Sequence, residues 1–185
     1  MTEPPQDPIN VFLDCGANDG CSVHRFRQIM PDWRSYVIHS FEPNPVMRSH
    51  FPHFENVVFH QEAVWVRDGE APFYLSRAYR EDGSTLLSTK TTGFLDMQHP
   101  ITVRCLNLGA WIKKTFREHD RILLKLDVEG AEYAILESMM RDGSIAYIKG
   151  LYAEFHWHKI GMAKTDHDIM IHHLAKSGLD RKSVV

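Results

Sequence analysis

Val11-Phe12-Leu13-Asp14-Cys15-Gly16-Ala17-Asn18-Asp19-Gly20 is an apolar run that ends on an acid and breaks at once into a glycine-spaced loop. It reads as a buried parallel strand emptying into a ligand-binding turn. Asp14 sits at the strand's carboxyl end, while Gly16 and Gly20 remove the Cβ atoms that would hold a bound molecule off the backbone. The dinucleotide fingerprint needs three glycines as G-x-G-x-x-G, whereas the pattern here is Asp14-x-Gly16-x-x-x-Gly20. A diphosphate wants bare N–H groups and a helix dipole, and Asp14 and Asp19 repel it. A cationic amino acid is attracted instead. The competing reading is an ordinary strand-to-turn junction, since Asp and Gly populate turns everywhere.

Tyr36 to Glu42 reads as a second strand ending on an acid, stopped by Pro43-Asn44-Pro45. Glu42 lies roughly 20 residues beyond Gly20, the interval at which a carboxylate takes ribose hydroxyls. Two neighbouring strands that each end on a carboxylate suit the two polar ends of an adenosyl amino acid such as S-adenosylmethionine. The strand Val57 to His60 follows, and its tip lies beside the second, so Glu62 or Ala63 is the candidate adenine contact.

At 185 residues with 43% hydrophobic content, the chain is expected to form one domain over residues 9–185 after a polar, proline-rich tail at 1–8. A net charge of −3, without a long Lys/Arg run, argues against nucleic acid as the partner. No run approaches the roughly 20 apolar residues of a membrane span, and the tail lacks a signal-peptide core, so a cytoplasmic protein without a membrane partner is expected. Cys15, Cys21 and Cys105 suggest neither a disulfide framework nor a cysteine zinc site.

Further along, Ser22 to Met30 reads as a helix, and Pro45 to Phe51 as a short one. Asp68-Gly69 reads as the turn of a hairpin between Ala63–Val66 and Ala71–Leu75. The polar stretch 76–100 is long for a connection inside a domain and reads either as a lid or substrate loop, with Gly83-Ser84-Thr85-Leu86 re-entering the site, or as a flexible surface loop. A strand at Ile101 to Arg104 and a helix from Leu106 to Phe116 precede the second informative block, Lys125-Leu126-Asp127-Val128-Glu129-Gly130-Ala131-Glu132. This is a buried strand ending at Asp127, a turn, and a helix from Ala131 to Met140. Glu129 and Glu132 suit the helix's positive end. Lys125 needs a partner in so apolar a strand, and Asp127 shares its face.

Tyr147 to Glu154 repeats the theme, so that Asp14, Glu42, Asp127 and Glu154 all fall at one end of one parallel sheet. Beyond it, Thr165 to Lys176 reads as the last helix, with Thr165 and Asp168 as a capping pair and Gly178 as its stop. Leu179 to Val185 reads as a strand. Asp127, Glu154, His156 and His158 are the candidates to accept a proton. His156 is favoured because an unperturbed imidazole has the better pKa, with Asp127 orienting substrate or metal. On a strand His156 and His158 would share a side and reach an ion with Asp127 or Glu154, but imidazoles also partner surface acids, and a divalent metal is not the favoured reading.

The pieces Asp14-Cys15-Gly16-Ala17-Asn18-Asp19-Gly20, Phe41-Glu42-Pro43-Asn44-Pro45, Lys125 to Glu132 and Glu154-Phe155-His156 resemble, in content and order, the FkbM-type methyltransferases. The resemblance implies a Rossmann-like class I methyltransferase sandwich, a mostly parallel central sheet with helices on both faces, that uses S-adenosylmethionine to O-methylate a hydroxyl of a small molecule or sugar. It implies cofactor contacts at Asp14, Gly16, Asn18 and Glu42. Ala17, Gly20, Pro43, Asn44 and Asp127 in the matching pieces, with Glu62 and Ala63, complete the expected cofactor set. Ser84, Thr85, Lys125, Glu129 and His158 form the expected acceptor side. Two departures stand out: Cys105-Leu106-Asn107 replaces the family's usual Leu-Asp pair, and the chain stops before the last strand of a seven-stranded sheet, leaving an edge that a homodimer would cover. The alternatives are a non-catalytic S-adenosylmethionine-binding or scaffold protein and a nicotinamide oxidoreductase, which would want the third glycine.

Overall fold

The run from Val11 to Cys15 is buried throughout in the computed structural model, which describes residues 7–77 and 83–177. A strand covered on both faces belongs in the interior of a parallel sheet. In chain order the elements are β1 (Asn10–Cys15), α1 (Cys21–Ile29), β2 (Tyr36–Phe41), α2 (Met47–His50), β3 (Val57–His60), β4 (Ala63–Trp65) and β5 (Gly69–Phe73). They continue with β6 (Ile101–Asn107), α3 (Leu108–Thr115), β7 (Arg121–Leu126), α4 (Glu132–Asp142), β8 (Ile148–Ala153) and α5 (Lys164–Lys176). The main sheet has the order β3-β2-β1-β7-β8, and every neighbouring pair in it is parallel.

Period-2 alternation along β1 decides which helices cover which face. Val11, Leu13 and Cys15 pack with Leu108 and Ile112 of α3 and Ile135, Leu136 and Met139 of α4. Phe12 points the other way, stacks on Phe26 of α1 at 4.2 Å, and joins Val23, Tyr36 and Ile38. Helices therefore lie on both faces, as the Rossmann-like reading requires. Asp14 has the parity of Phe12, so it faces α1 from inside the sheet.

The expected hairpin does not form. β6 lies between β4 and β5, parallel to the first and antiparallel to the second. β4 is three residues long and would satisfy few ladder bonds in a two-stranded ribbon, whereas the seven-residue β6 pairs with both. The Asp68 carboxylate, placed by sequence in a hairpin turn, accepts the Asn107 N–H at 2.8 Å. Strand β6 also runs three residues beyond its expected end, because Asn107 caps α3 by accepting the Ala110 N–H. That capping role accommodates the departure at Cys105-Leu106-Asn107.

At α5 the expected Thr165/Asp168 capping pair is absent. Asp168 binds Lys164 at 2.8 Å instead, one helical turn away. No helix among the described residues is long and apolar enough to cross a membrane. The expected Gly178 stop, the strand Leu179 to Val185 and residues 1–6 of the expected tail lie outside the described residues.

Candidate active site

The carboxyl ends of β2, β1, β7 and β8 stand side by side, and a cavity opens above them. Its tightest point is Gly16, where φ is +79° and an added Cβ would lie 1.8 Å from the Asp127 carbonyl oxygen. Only glycine lets the loop after β1 approach the end of β7 so closely. Gly16 and Asn18 line the cavity.

Asp14, Ala17 and Gly20, expected among the cofactor contacts, lie outside the residues that line this cavity. Asp14 is fully buried, accepts hydrogen bonds from the Ser22 (2.6 Å) and Ser40 (3.3 Å) hydroxyls, and faces the Lys125 ammonium at 3.5 Å. Its charge is answered inside the protein. Ala17 turns inward, and Gly20 opens α1 against Phe54, to which an added Cβ would come within 3.0 Å.

Glu42 follows β2 and does line the cavity, 7% exposed, with Pro43 and Asn44 beside it. Its Oε2 accepts the Asn18 N–H at 2.9 Å and its Oε1 accepts the Asn44 N–H at 2.8 Å, which fixes the carboxylate across the mouth of the loop. Burial pushes its pKa up to about 7 against the pull of those two hydrogen bonds. Apolar groups from Met47, Ala63, Val64, Phe73 and Leu86 continue the wall. Of the two adenine candidates only Ala63 lies on it, because the Glu62 carboxylate is drawn to Arg104 at 2.9 Å.

At the opposite end Asp127, Glu129 and Glu154 line the cavity, together with Gly83 and Ser84 from the expected lid. His156 lies behind them, 1% exposed, with Nε2 3.4 Å from Glu154, 3.8 Å from Glu129 and 3.9 Å from Asp127. Its Nδ1 is 2.9 Å from Glu132 Oε1. Glu132 also accepts the Val128 and Gly130 N–H groups, so it is the acceptor and Nδ1 carries the hydrogen. The sequence of the Methyltransferase FkbM domain family matches residues 14–180, which spans both ends of this cavity.

The chain belongs to the FkbM methyltransferase family.

No curated protein and no solved structure gives a significant match. In this methyltransferase several acceptor-side expectations change. Lys125, expected on the acceptor side, is engaged inside the fold: its ammonium donates to the Gly16 carbonyl at 2.7 Å and lies 3.4 Å from Asp127 and 3.5 Å from Asp14. Burial disfavours that ammonium, but the two carboxylates outweigh it and hold its pKa above the ordinary lysine value. Thr85 is buried, and its hydroxyl donates to the Glu129 carbonyl at 2.9 Å. His158 is exposed on a short turn, Trp157–Lys159, so it does not share a strand face with His156.

Five contributors escaped the sequence. Glu132 was expected only to favour the helix dipole, yet it is fully buried and orients His156. Lys90, in the polar lid, is buried and binds Glu129 at 2.7 Å, where Lys159 adds a second contact at 3.2 Å. Met47 and Phe73 converge from separate segments, so no local pattern marks them. Burial also works against a charged His156, but the hydrogen bond and charge of Glu132, with the charge of Glu129, outweigh it and raise the imidazole pKa.

Proposed function

We propose that this FkbM methyltransferase uses S-adenosylmethionine to methylate a hydroxyl group on a small molecule or sugar. The observation that carries the donor half is Glu42, a carboxylate held by two main-chain N–H groups on the cavity wall, with lone pairs left for two ribose hydroxyls. The apolar wall at Ala63, Val64 and Phe73 suits an adenine ring. A nicotinamide dinucleotide fits less well, because the loop lacks the third glycine of the dinucleotide fingerprint.

The acceptor half rests on the acids at the other end. Asp127 and Glu154 offer oxygens to which an acceptor hydroxyl donates, holding its oxygen toward the methyl group. The oxygen attacks the methyl carbon as the C–S bond breaks, and that bond's electron pair returns to sulfur, giving the neutral thioether S-adenosylhomocysteine. The hydroxyl proton passes to Glu154, which borders both the cavity and solvent at 57% side-chain exposure and can release it to water. Holding the two reactants in line supplies about 7 to 11 kcal/mol of the barrier reduction, and a positioned base about 10² to 10⁴ in rate.

Calorimetry with S-adenosylhomocysteine tests the donor half, and methyl transfer from labelled S-adenosylmethionine across a panel of sugars and small alcohols tests the acceptor half. Saturable cofactor binding with product formed on a hydroxyl is expected. Binding of NAD with none of S-adenosylhomocysteine would overturn the reading, and label transferred only to nitrogen would overturn its acceptor half.

A further inference from the structure

We propose that Asp127, Glu129 and His156 bind one divalent metal ion, of the manganese or zinc kind, at the acceptor end of the cavity. One ligand atom from each of the three lies within 4.8 Å of the others. The Nε2 distances of 3.8 Å to Glu129 and 3.9 Å to Asp127 are too long for charged hydrogen bonds, which run at about 2.7 to 2.9 Å. They do match the spacing of atoms that share an ion, because ligands about 2.1 Å from one metal stand ~3.0 to 4.2 Å apart.

A second observation points the same way. His156 is 1% exposed, and its Nε2 is a buried polar atom with no hydrogen-bond partner among the described residues. It is aimed at three carboxylates. Glu132 holds the opposite ring nitrogen at 2.9 Å and fixes the hydrogen on Nδ1, which leaves Nε2 to serve as a ligand. A carboxylate behind a histidine is the usual support of a metal-bound imidazole. Lys90 at 2.7 Å and Lys159 at 3.2 Å fix Glu129 through its Oε2, the oxygen 3.8 Å from Nε2, so an ion there binds in competition with two ammonium groups.

Charge supplies the third argument. Leaving the imidazole aside, the connected group holds five carboxylates (Asp14, Asp127, Glu129, Glu132 and Glu154) against three lysines (Lys90, Lys125 and Lys159), an excess of two negative charges. A divalent ion balances them. Mixed carboxylate and imidazole ligation suits manganese or zinc better than calcium, which prefers oxygen alone.

The ion's role, unlike its site, rests on the hydroxyl-methylation reading. Asp127 and Glu129 lie on the cavity wall and His156 lies behind them, so the remaining coordination positions face the cavity. An acceptor with two neighbouring oxygens, such as a vicinal diol, would fill two of them. The ion would favour the ionised form of the hydroxyl that takes the methyl group, while Glu154 receives its proton.

The test is calorimetric titration of the chelator-stripped full chain with Mn²⁺ and Zn²⁺, with paramagnetic resonance on Mn²⁺. One ion per chain is expected, weakened at least tenfold in Asp127→Asn and in His156→Ala. Glu132→Gln, which changes no ligand, should weaken it by about 10- to 100-fold. Circular dichroism checks each fold, and Glu129→Gln, at a partly exposed residue, replaces any buried variant that fails to fold. No saturable binding of either ion to the folded wild type would overturn the proposal, as would binding kept within threefold in folded Asp127→Asn and His156→Ala, which would put the ion on surface histidines. S-adenosylhomocysteine binding without metal binding removes the ion alone. Metal binding without S-adenosylhomocysteine binding keeps the ion and removes the methyl-donor reading.

Discussion

Glu42 offers the sharpest test of the cofactor end, because one carboxylate there should couple proton binding, stability and ligand affinity. Burial raises its pKa from 4.5 to about 7 in the folded chain. A group whose folded pKa is raised contributes stability that is full below its unfolded value and is lost as pH rises through the folded one. Between pH 4.5 and about 7 the folded chain keeps a proton that the unfolded chain has released, and stability falls by about 1.4 kcal/mol per pH unit, about 3 kcal/mol in all. His39 acts in the opposite sense, since burial lowers its imidazole to about 4, but that effect is common to wild type and variant. Urea unfolding of wild type and Glu42→Gln across this range should therefore differ in slope by the Glu42 contribution.

Ligand binding adds a second readout. Ribose hydroxyls donate to the ionised carboxylate, so S-adenosylhomocysteine should bind progressively more weakly below pH 7, by about 30-fold at pH 5.5, with one proton released per ligand bound at low pH. At pH 7.5 Glu42→Gln should cost about 1.5 to 3 kcal/mol of affinity, since it removes a charged acceptor. Calorimetry in two buffers of different ionisation enthalpy measures both the affinity and the proton count. A wild-type affinity that stays flat from pH 5.5 to 7.5, or a slope that survives in Glu42→Gln, would refute the ribose placement.

Gly16→Ala should destabilise the chain by about 3 kcal/mol or more and abolish S-adenosylhomocysteine binding, because its Cβ would lie 1.8 Å from a main-chain oxygen at a left-handed φ; a melting temperature within 2 °C of wild type would contradict this. Lys125→Met should lose about 3 to 5 kcal/mol in urea unfolding by stranding the Asp14 charge, and Lys125→Met with Asp14→Asn should recover part of it; strict additivity would show that the two residues are not coupled. Glu154→Gln should lower turnover by about 10² to 10⁴ with S-adenosylhomocysteine affinity unchanged, and turnover within threefold of wild type would remove it as proton acceptor.

The main sheet was legible because its strands obey local rules. Val11 to Cys15, Tyr36 to Phe41 and Arg121 to Leu126 are short apolar runs that end in turn residues, and each ends close to an acid whose position is set by strand length alone. That is enough to predict four carboxylates along one sheet edge, and the structure has them there. The hairpin failed because an Asp-Gly turn constrains only its own neighbourhood, while the competing partner, β6, lies some thirty residues away in sequence. Long-range pairing leaves no mark on a turn. The burial of Glu132 and Lys90 is hidden for a related reason: polarity places a residue on the surface by default, and only contacts made across the fold, to His156 and Glu129, explain it.

Asp14 shows how an acid that sequence locates correctly has partners that sequence does not reveal. Sequence puts it at the end of the central strand, next to the ligand loop, where a negative charge looks aimed at a cation from outside. The cation comes instead from the adjacent strand, since Asp14 and Lys125 are register partners of β1 and β7. The same ammonium binds the Gly16 carbonyl, so the pair ties the loop to the sheet and holds the glycine against Asp127. A carboxylate already neutralised in this way has little attraction left for an external ammonium. The field that reaches the cavity then comes from Glu42 at one end and from Asp127, Glu129 and Glu154 at the other. These four are the acids that line the cavity, Glu42 after β2, Asp127 and Glu129 after β7, and Glu154 after β8.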